Sequence, residues 1–422
     1  MAGYKLYLSL LLIELLVVFA TAGTSSGNID ALYDIYSAAN GPDWRWGMLP
    51  GIQWVFNSTS DPCADHWQGV TCIGCDSSES YCNVTKLNLP GYNMRGSLSP
   101  SLCNLLNLTN VTLSGNHLES TVPSCVLFGL QHLKIITISS NNFTGSLPFR
   151  NDSSFFQTKL RHLDFSVNHF TGTVPSLFGV LPHLTLLSLT SNRLSGPFPT
   201  FIGANLTSLI SLEMAANFLT GSISASFWSS VSSLYNLRIG GNPLQGSLAS
   251  TICSLTGLHH LYLNGSQFTG AIPPCLFRGN LTEIFLDNNK FSGTLPTYMS
   301  APIINLFLQN NQLHGSLPMA LGNLPLLAVA VLAVNKFSGP IPVSFENSQL
   351  LQVLAVNDNS LSGEIPTAIF SLPIVYVLNF SRNKFNGKNL RICGLSYRLA
   401  CIYIGVSVSV CRSVTLLCRY TC

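Results

Sequence analysis

The 422-residue sequence is poor in charge: Asp, Glu, Lys and Arg make up 9% of it, and 17 acids nearly balance 20 bases. A nucleic-acid-binding surface needs Lys and Arg clustered on one face, so the composition argues against that function. Although 47% of the residues are apolar, no apolar run between residues 23 and 398 approaches the roughly 20 residues that span a bilayer. The apolar residues recur periodically instead, which predicts a repeat protein.

The first 22 residues have the features of a secretory signal peptide. Lys5 precedes an apolar stretch from about Leu6 to Ala20, and Ala20-Thr21-Ala22 fits a cleavage site; a retained anchor or a buried helix is the alternative. Thirteen cysteines also suit an oxidising compartment, so we expect a secreted or cell-surface protein, located in the extracellular space, the cell wall or at the plasma membrane. Asn-x-Ser/Thr sequons predict N-glycosylation at Asn57, Asn83, Asn107, Asn110, Asn142, Asn151, Asn205, Asn264, Asn280 and Asn379.

One phrase, Leu-x-Leu-x-x-Asn-x-Leu/Phe-x-Gly-x-x-Pro, recurs in about thirteen copies, mostly 24 residues apart, with Tyr92 and Ser266 as irregular residues at the Asn position. Alternation along a strand turns both leucines inward and the residue between them outward. The Asn amide can bond backbone groups where the chain leaves the strand, and the Gly suits a positive φ. The phrase predicts an α/β solenoid in which each copy adds one short strand to a parallel sheet.

This phrase resembles the plant-type extracellular leucine-rich repeat of receptor-like kinases, receptor-like proteins and polygalacturonase-inhibiting proteins. The resemblance covers about residues 84–392, and DPCADHWQGVTC at 61–72 is similar to the N-terminal cap of that family. It implies a curved horseshoe with its parallel sheet on the concave face and disulfide-capped ends. It also implies a recognition module.

The resemblance divides the chain into segments. The expected segments are a signal peptide at 1–22, an N-terminal cap at 23–83, repeats at 84–392, a C-terminal cap at 393–401 and an atypical tail at 402–422. The tail's apolar run is interrupted by Arg412, which disfavours a membrane helix. A membrane helix, a disordered or capping tail, and an altered or truncated form of a longer protein all remain open.

Two cysteine pairs occupy the same place in the repeat. Cys103 and Cys125 are 22 residues apart, as are Cys253 and Cys275, and both pairs have the same register relative to the Asn position. The partners therefore lie on adjacent coils, where Cα atoms about 5 to 6 Å apart can be bridged. We predict the disulfides Cys103–Cys125 and Cys253–Cys275, with four separate buried cysteines as the alternative.

The remaining framework cysteines lie at the two caps. A zinc site is one reading of the N-terminal group, because Cys72-Ile-Gly-Cys75 has ligand spacing; two disulfides are the reading that we expect in a secreted cap. The family resemblance implies a Cys63–Cys72 pair and a C-terminal cap pair. The residues concerned are Cys63, Cys72, Cys75, Cys82, Cys393 and Cys401.

The sequence contains no arrangement that predicts an enzyme. Gly23-Thr24-Ser25-Ser26-Gly27 matches a nucleophile-elbow string, but no strand pattern precedes it. His259 and His260 have no carboxylate or cysteine placed beside them by the repeat register, so ordinary surface histidines are the simpler reading. We expect no catalysis, no cofactor and no metal.

The outward residue of each strand can be read copy by copy for a binding site. Tyr262, Phe285 and Phe307 occupy it in three consecutive copies, about 5 Å apart on parallel strands. Exposed aromatics with polar neighbours favour recognition, whereas a contribution to strand stability is the alternative. The predicted ligand-binding residues are Tyr235, Arg238, His260, Tyr262, Glu283, Phe285, Asp287 and Phe307, with His259 and Gln309 beside them.

Two neighbouring stretches extend this prediction. Asp164 and Glu213 either enlarge the patch through Arg238 or are solvated surface, and Val331 and Ala355 are a candidate contact for a co-receptor or another chain. We expect an extracellular recognition protein that binds a peptide, protein or cell-wall carbohydrate in receptor-like signalling or defence. A soluble inhibitor of a cell-wall hydrolase and a structural wall glycoprotein are the alternatives.

Overall fold

The structure, a computed structural model, describes residues 23–75, 81–149, 159–386, 401–403 and 409–411. It forms two compact units, an N-terminal unit up to Thr171 and a C-terminal unit from Gly172. The expected signal peptide, Asn151, Cys393 and most of the tail lie outside the described residues. Within the part of the chain that the structure describes, no helix has the length and apolar character needed to cross a membrane.

In the N-terminal unit, a helix precedes the first strands. The helices are α1 (Ser26–Ala38), 3₁₀ turns at Gly41–Asp43 and Pro100–Asn104, and α2 (Cys125–Phe128). The strands are β1 (Val70–Ile73), β2 (Asn83–Asn88), β3 (Arg95–Ser97), β4 (Asn110–Thr112), β5 (His117–Glu119), β6 (Ile135–Thr137) and β7 (His162–Asp164). β1 is antiparallel to β2, and β2, β4, β6 and β7 follow one another in parallel. β3 and β5 form a separate parallel pair.

The N-terminal cap is held by a cluster of buried and half-buried aromatic rings, which we call the cap cluster. Trp44 and Trp54 meet edge to face with centroids 5.1 Å apart, and Tyr92 meets Trp46 in the same way at 5.7 Å. Tyr92 is fully buried, and its hydroxyl donates to Gln68 Oε1 at 3.1 Å. The irregular residue at the Asn position is therefore a packing residue of the cap. The cluster comprises Tyr36, Trp44, Trp46, Trp54, Phe56, Trp67 and Tyr92.

Asp61 fastens the start of the described chain to the cap. Its carboxylate accepts hydrogen bonds from the backbone amide and the hydroxyl of Thr24, at 2.6 and 2.5 Å. It also accepts from the amides of Cys63 and Ala64. Burial raises the pKa of Asp61, but the hydrogen bonds together outweigh burial and lower it.

The strand β8 (Thr171–Gly172) follows β7 in the chain. The C-terminal unit continues with β9 (Leu186–Ser188), β10 (Arg193–Pro197), β11 (Ser211–Glu213), β12 (Phe218–Ser222), β13 (Asn236–Arg238), β14 (Leu244–Ser247), β15 (His260–Tyr262), β16 (Gln267–Ala271), β17 (Glu283–Phe285), β18 (Lys290–Gly293), β19 (Asn305–Phe307), β20 (Gln312–Ser316), β21 (Val329–Val331), β22 (Lys336–Gly339), β23 (Val353–Ala355), β24 (Ser360–Gly363), β25 (Val377–Asn379), β26 (Lys384–Phe385), β27 (Cys401–Tyr403) and β28 (Ser409–Cys411). Its helical segments are Ser176–Val180 (3₁₀), α3 (Phe201–Asn205), α4 (Ala225–Ser230), Ser250–Ser254 (3₁₀), Pro274–Phe277 (3₁₀), α5 (Met319–Gly322), Val343–Asn347 (3₁₀) and Thr367–Ser371 (3₁₀).

The strands of the C-terminal unit form two sheets. The odd-numbered strands from β9 to β25 pair in parallel as the long sheet, and the even-numbered strands from β10 to β26 form a second parallel sheet. β27 adds to the long sheet in parallel with β25, and β28 is antiparallel to β27, with Cys401 opposite Cys411. The repeat pattern therefore folds as a leucine-rich-repeat solenoid with its strands stacked in parallel.

The repeated Asn residues form the expected ladder of hydrogen bonds. Asn217 Oδ1 accepts from the amide of Leu194 in the preceding repeat, and its Nδ2 donates to the carbonyls of Leu189 and Met214. The residue before each such Asn has a positive φ, even where it is β-branched, as at Val167 and Val334. Each repeat is thus tied both to its neighbour and to its own turn.

Disulfides link adjacent turns in both units. Cys63 joins Cys72 and Cys75 joins Cys82 in the cap, with Cα atoms 5.8 and 4.6 Å apart. Cys103 joins Cys125 at a Cα distance of 6.0 Å, and Cys253 joins Cys275 at 5.7 Å. The sulfur atoms of Cys63, Cys75 and Cys82 lie within 4.8 Å of one another. Because a thiolate is the metal ligand and these cysteines are oxidised, the structure favours disulfides over zinc there.

Candidate ligand-binding face

The face of the long sheet that points away from the core carries three stacked aromatic rings, Tyr262, Phe285 and Phe307, which we call the aromatic row. The strand register pairs Tyr262 with Phe285 and Phe285 with Phe307. The inward residues beside them, Leu261, Ile284 and Leu306, are fully buried in the core. The ring centroids are 4.5 and 4.4 Å apart, with interplanar angles of 19° and 14°. Each half-buried ring therefore covers a face of its neighbour.

Arg238 closes the row at its N-terminal end. Its guanidinium carbon lies 4.1 Å from the centroid of the Tyr262 ring, a cation–π contact. Nε donates to Asn236 Oδ1 at 3.1 Å, and Nη2 donates to the Tyr262 hydroxyl at 3.3 Å. Asn236 in turn donates from Nδ2 to Glu213 Oε1 at 2.8 Å. The guanidinium is thus held over the ring by groups from three successive strands.

Tyr262 and Glu283 form the polar flank of the row. The Tyr262 hydroxyl donates to Glu283 Oε2, and the same oxygen lies 3.6 Å from His260 Nδ1. Burial raises the pKa of the Tyr262 hydroxyl to about 12; the hydrogen bond to Glu283 adds to this, and Arg238 opposes it. The hydroxyl therefore remains a neutral donor at physiological pH.

Tyr235, His259 and His260 form an aromatic edge beside this flank. The Tyr235 ring stacks on His259 with centroids 4.3 Å apart, and it lies 5.2 Å from the ring of His260. Tyr235 is 44% exposed, while His259 Nδ1 is bonded to the Gly257 carbonyl at 2.8 Å. The sequence-predicted residues Tyr235, Arg238, His260, Tyr262, Glu283, Phe285 and Phe307 thus come together on one surface.

Asp287 lies on the same face but offers little surface. It is 7% exposed and accepts a hydrogen bond from Asn288 Nδ2 at 2.6 Å. Burial raises the pKa of its carboxyl group, and the Asn288 bond only partly opposes this. Gln309, on the next repeat, has its Oε1 buried without a hydrogen bond among the described residues. We therefore treat Asp287 and Gln309 as the floor of the face rather than as exposed contacts.

The face changes character beyond the row. Val331 and Ala355 continue the column after Phe307, and Val329 and Val353 lie beside them. These side chains are short and half-buried, so they make a flat apolar surface. Asp164 belongs to the N-terminal unit, where its Oδ1 accepts from the amide and hydroxyl of Ser166.

Residue-by-residue reading of the sequence missed two side chains of the site. Asn236 and Ser211 are the first outward residues of their strands, and Asn236 Nδ2 donates to Ser211 Oγ at 2.8 Å. Ser211 Oγ also donates to Glu213 Oε1 at 3.0 Å. The sequence could have indicated them, because they occupy the same position of the repeat as the predicted site residues His260 and Glu283.

Comparison with protein families identifies the class of the chain. The leucine rich repeat N-terminal domain matches residues 28–73, and the leucine rich repeat matches 159–181 and 280–301. The matched segments therefore contain leucine-rich repeats and the N-terminal domain that accompanies such repeats.

Its relatives are receptor-like kinases and receptor-like proteins of Arabidopsis thaliana. MDIS1-interacting receptor like kinase 1 is 37% identical over 132 residues, which is 31% of this chain and 12% of the kinase. Receptor-like protein 39 is 34% identical over 157 residues, or 37% of this chain and 16% of that protein. The matched segments thus span less than a fifth of either relative.

Solved structures with the same fold include plant receptor ectodomains. The structure of PEPR1–AtPEP1 superposes with a TM-score of 0.73 at 28% identity, covering 90% of this chain and 51% of that one. The Arabidopsis HAESA ectodomain, solved with an extended IDA peptide hormone, gives a TM-score of 0.71 at 29% identity, covering 82% and 57%. This chain spans about half the length of each.

Proposed function

We propose that this protein is an extracellular recognition protein of the receptor-like type, which binds a peptide across the outer face of its long sheet. The aromatic row carries the proposal. The buried leucines and the Asn ladder hold the repeats together from the inner side, so the fold does not need large rings outside. Three such rings on consecutive repeats, flanked by Arg238 and Glu283, form a contact surface of the kind found at protein interfaces.

The geometry of the row favours a peptide over a cell-wall carbohydrate. Both faces of Phe285 are covered by its neighbours, and Arg238 covers one face of Tyr262. The row therefore presents ring edges, which carry the positive end of the ring quadrupole and favour carbonyl oxygens. Peptide carbonyls and apolar side chains fit such edges, whereas a sugar ring that stacks on an aromatic face finds few faces free.

The similar proteins support the same ligand class. HAESA was solved with a peptide hormone, and Phytosulfokine receptor 1 of Arabidopsis thaliana is 30% identical over 167 residues, which is 35% of this chain and 16% of that receptor. Side chains held rigidly on several strands lose little freedom on binding, so preorganisation would favour affinity. The flat apolar stretch around Val331 and Ala355 would suit a co-receptor. We propose that this protein binds its ligand without catalysing a reaction. We also propose that its domains have the boundaries predicted from the sequence.

The proposal is tested by capture of ligands on the immobilised full-length protein. Peptides and proteins from plant extracellular extracts would be captured, identified by mass spectrometry, and their affinities measured. Replacing Tyr262, Phe285 and Phe307 together with Ser should weaken binding at least about 30-fold, because central aromatic residues contribute about 2 kcal/mol or more.

A matched control removes exposed aromatic area elsewhere. Phe218 and Tyr298 are 59% and 60% exposed and lie outside the long sheet, so Phe218→Ser with Tyr298→Ser should leave binding unchanged. Equal loss in both variants would contradict a site on the row. If the immobilised protein captured a cell-wall hydrolase, and the hydrolase lost activity when mixed with the protein, the result would favour an inhibitor instead.

A further inference from the structure

The Asn ladder is interrupted at Ser266. By the offsets of the other repeats, residue 266 should accept from the amide of Leu244, as Asn242 accepts from Leu219 and Asn289 accepts from Phe268. That amide instead donates to the carbonyl of Asn242 at 2.8 Å. Ser266 Oγ is buried and has no hydrogen-bond partner among the described residues. The Ser hydroxyl thus adds no bond to the fold where an Asn adds several.

The same substitution creates a glycosylation sequon on the ligand-binding face. Asn264-Gly265-Ser266 is the only ladder turn of the C-terminal unit's long sheet, within residues 172–386, where an outward Asn precedes a Ser at the ladder position. Asn357 is the counterpart in a complete turn: it has the same place in its repeat, but Asn359 follows it and the sequon is absent. The gap in the ladder and the sequon both follow from the one residue Ser266.

The residue beside Asn264 on the preceding strand has no side chain. Asn264 is half-buried, and its amide makes no hydrogen bond within the described residues. Its neighbour on the preceding strand is Gly240, where an added Cβ would lie 2.5 Å from the Asn264 carbonyl oxygen and 2.7 Å from Oδ1. Gly241 and Gly265 follow, both with positive φ. The Asn264 side chain therefore lies over the backbone of Gly240, and no neighbouring side chain on that strand covers it.

We propose that Asn264 carries an N-linked oligosaccharide that forms one wall of the ligand-binding face. Asn264 lies two residues beyond Tyr262 on the same side of its strand, so the glycan would border the aromatic row where the strands end. The opposite flank, with Tyr235, His259 and Glu283, remains open. The wall would confine a peptide to that flank. This consequence rests on the proposed function, whereas the attachment itself does not.

The attachment is tested by glycopeptide mass spectrometry of the full chain secreted from plant cells. We expect a glycan at Asn264, its retention in Ser266→Thr, and its loss in Ser266→Asn and Asn264→Gln. The reciprocal variant Asn359→Ser should gain a glycan at Asn357. An unmodified Asn264 in the secreted protein would overturn the proposal.

Two further readouts separate the ladder from the glycan. Ser266→Asn restores hydrogen bonds and should unfold about 2 to 4 °C higher than Asn264→Gln, although both lack the glycan. Both variants should show increased hydroxyl-radical labelling of Tyr262 relative to the parent, with little change at Val331. Unchanged labelling at Tyr262 would refute the wall. Neither measurement uses a ligand, so these results stand apart from the outcome of the capture experiment.

Discussion

The N-terminal cap and the long sheet use the same residue types for opposite purposes. In the cap cluster most ring pairs meet edge to face or tilted, and Trp44, Trp54 and Trp67 are at most 4% exposed. In the aromatic row the rings stack face to face and remain half-exposed. The cluster closes the end of a core that repeats alone leave open. The row lies on the solvent side of a sheet whose core is already complete beneath it.

Burial, rather than residue type, separates the four innermost rings of the cap cluster, Trp44, Trp54, Trp67 and Tyr92, from the rings of the aromatic row. Tyr92 and Tyr262 both donate a hydroxyl hydrogen bond to a side chain of the same unit. The partner of Tyr92 is the buried Gln68, whereas the partner of Tyr262 is the partly exposed carboxylate of Glu283. A ligand can therefore reach and replace the partner of Tyr262, but it cannot reach the partner of Tyr92.

The largest expected effect comes from truncating one ring in each region. Trp54→Ala should lower the free energy of unfolding of the N-terminal unit by about 3 to 5 kcal/mol, because it leaves a cavity in the cap. Phe307→Ala should cost about 0.5 to 1.5 kcal/mol, the value of one exposed ring contact. Hydrogen exchange with mass spectrometry measures both, unit by unit. Similar losses would mean that the row is part of the core.

Disulfide removal compares the two units through bonds of the same span. Cys103–Cys125 and Cys253–Cys275 each close a separation of 22 residues, for which loss of the cross-link costs about 3 kcal/mol. Replacing either pair with Ser should therefore destabilise its own unit by a similar amount. Non-reducing peptide mapping checks the pairing first; free thiols at these four positions would contradict it.

Much of this architecture could be predicted from the sequence because the same pattern of buried and outward positions recurs in every repeat. Leu261 and Leu263 are buried as the alternating pattern requires, and the position of Tyr262 beside Phe285 follows from the repeat register. The pattern could not show that Asp287 is covered, because burial of an outward residue depends on the size of its neighbours. It also could not assign Tyr92, whose partners come from the irregular cap.

Two valines at the same turn position provide a smaller, matched comparison. Val167 in the N-terminal unit and Val334 in the C-terminal unit have φ values of 52° and 55°, a region that costs L-residues about 1 to 2 kcal/mol. Both side chains are largely exposed, so Val167→Gly and Val334→Gly should each raise stability by up to about 1 kcal/mol. Val331→Gly, at a strand position, should lower it. Urea unfolding of the three variants checks the sign.

The smallest expected effect is a difference between the two units in how their stability depends on pH. Folding lowers the pKa of Asp61, so its stabilising contribution is complete above the unfolded value of about 3.9 and is lost as the pH falls through the lower folded pKa. Folding raises the pKa of Asp287, so its ionisation destabilises the C-terminal unit as the pH rises from about 4 through the raised folded pKa.

Asp61→Asn and Asp287→Asn should therefore have opposite consequences near neutral pH. The first variant loses a carboxylate that four hydrogen bonds stabilise, so the cap should open more readily in hydrogen exchange. The second removes a buried charge while keeping an amide that can bond Asn288, so strand β17 should exchange more slowly. The Asp287 difference should shrink as the pH falls through the raised folded pKa towards about 4, whereas the Asp61 difference should shrink only below about pH 4, as the pH approaches the lowered folded pKa. Slower exchange at the cap in Asp61→Asn would show that burial, and not hydrogen bonding, dominates at that carboxyl.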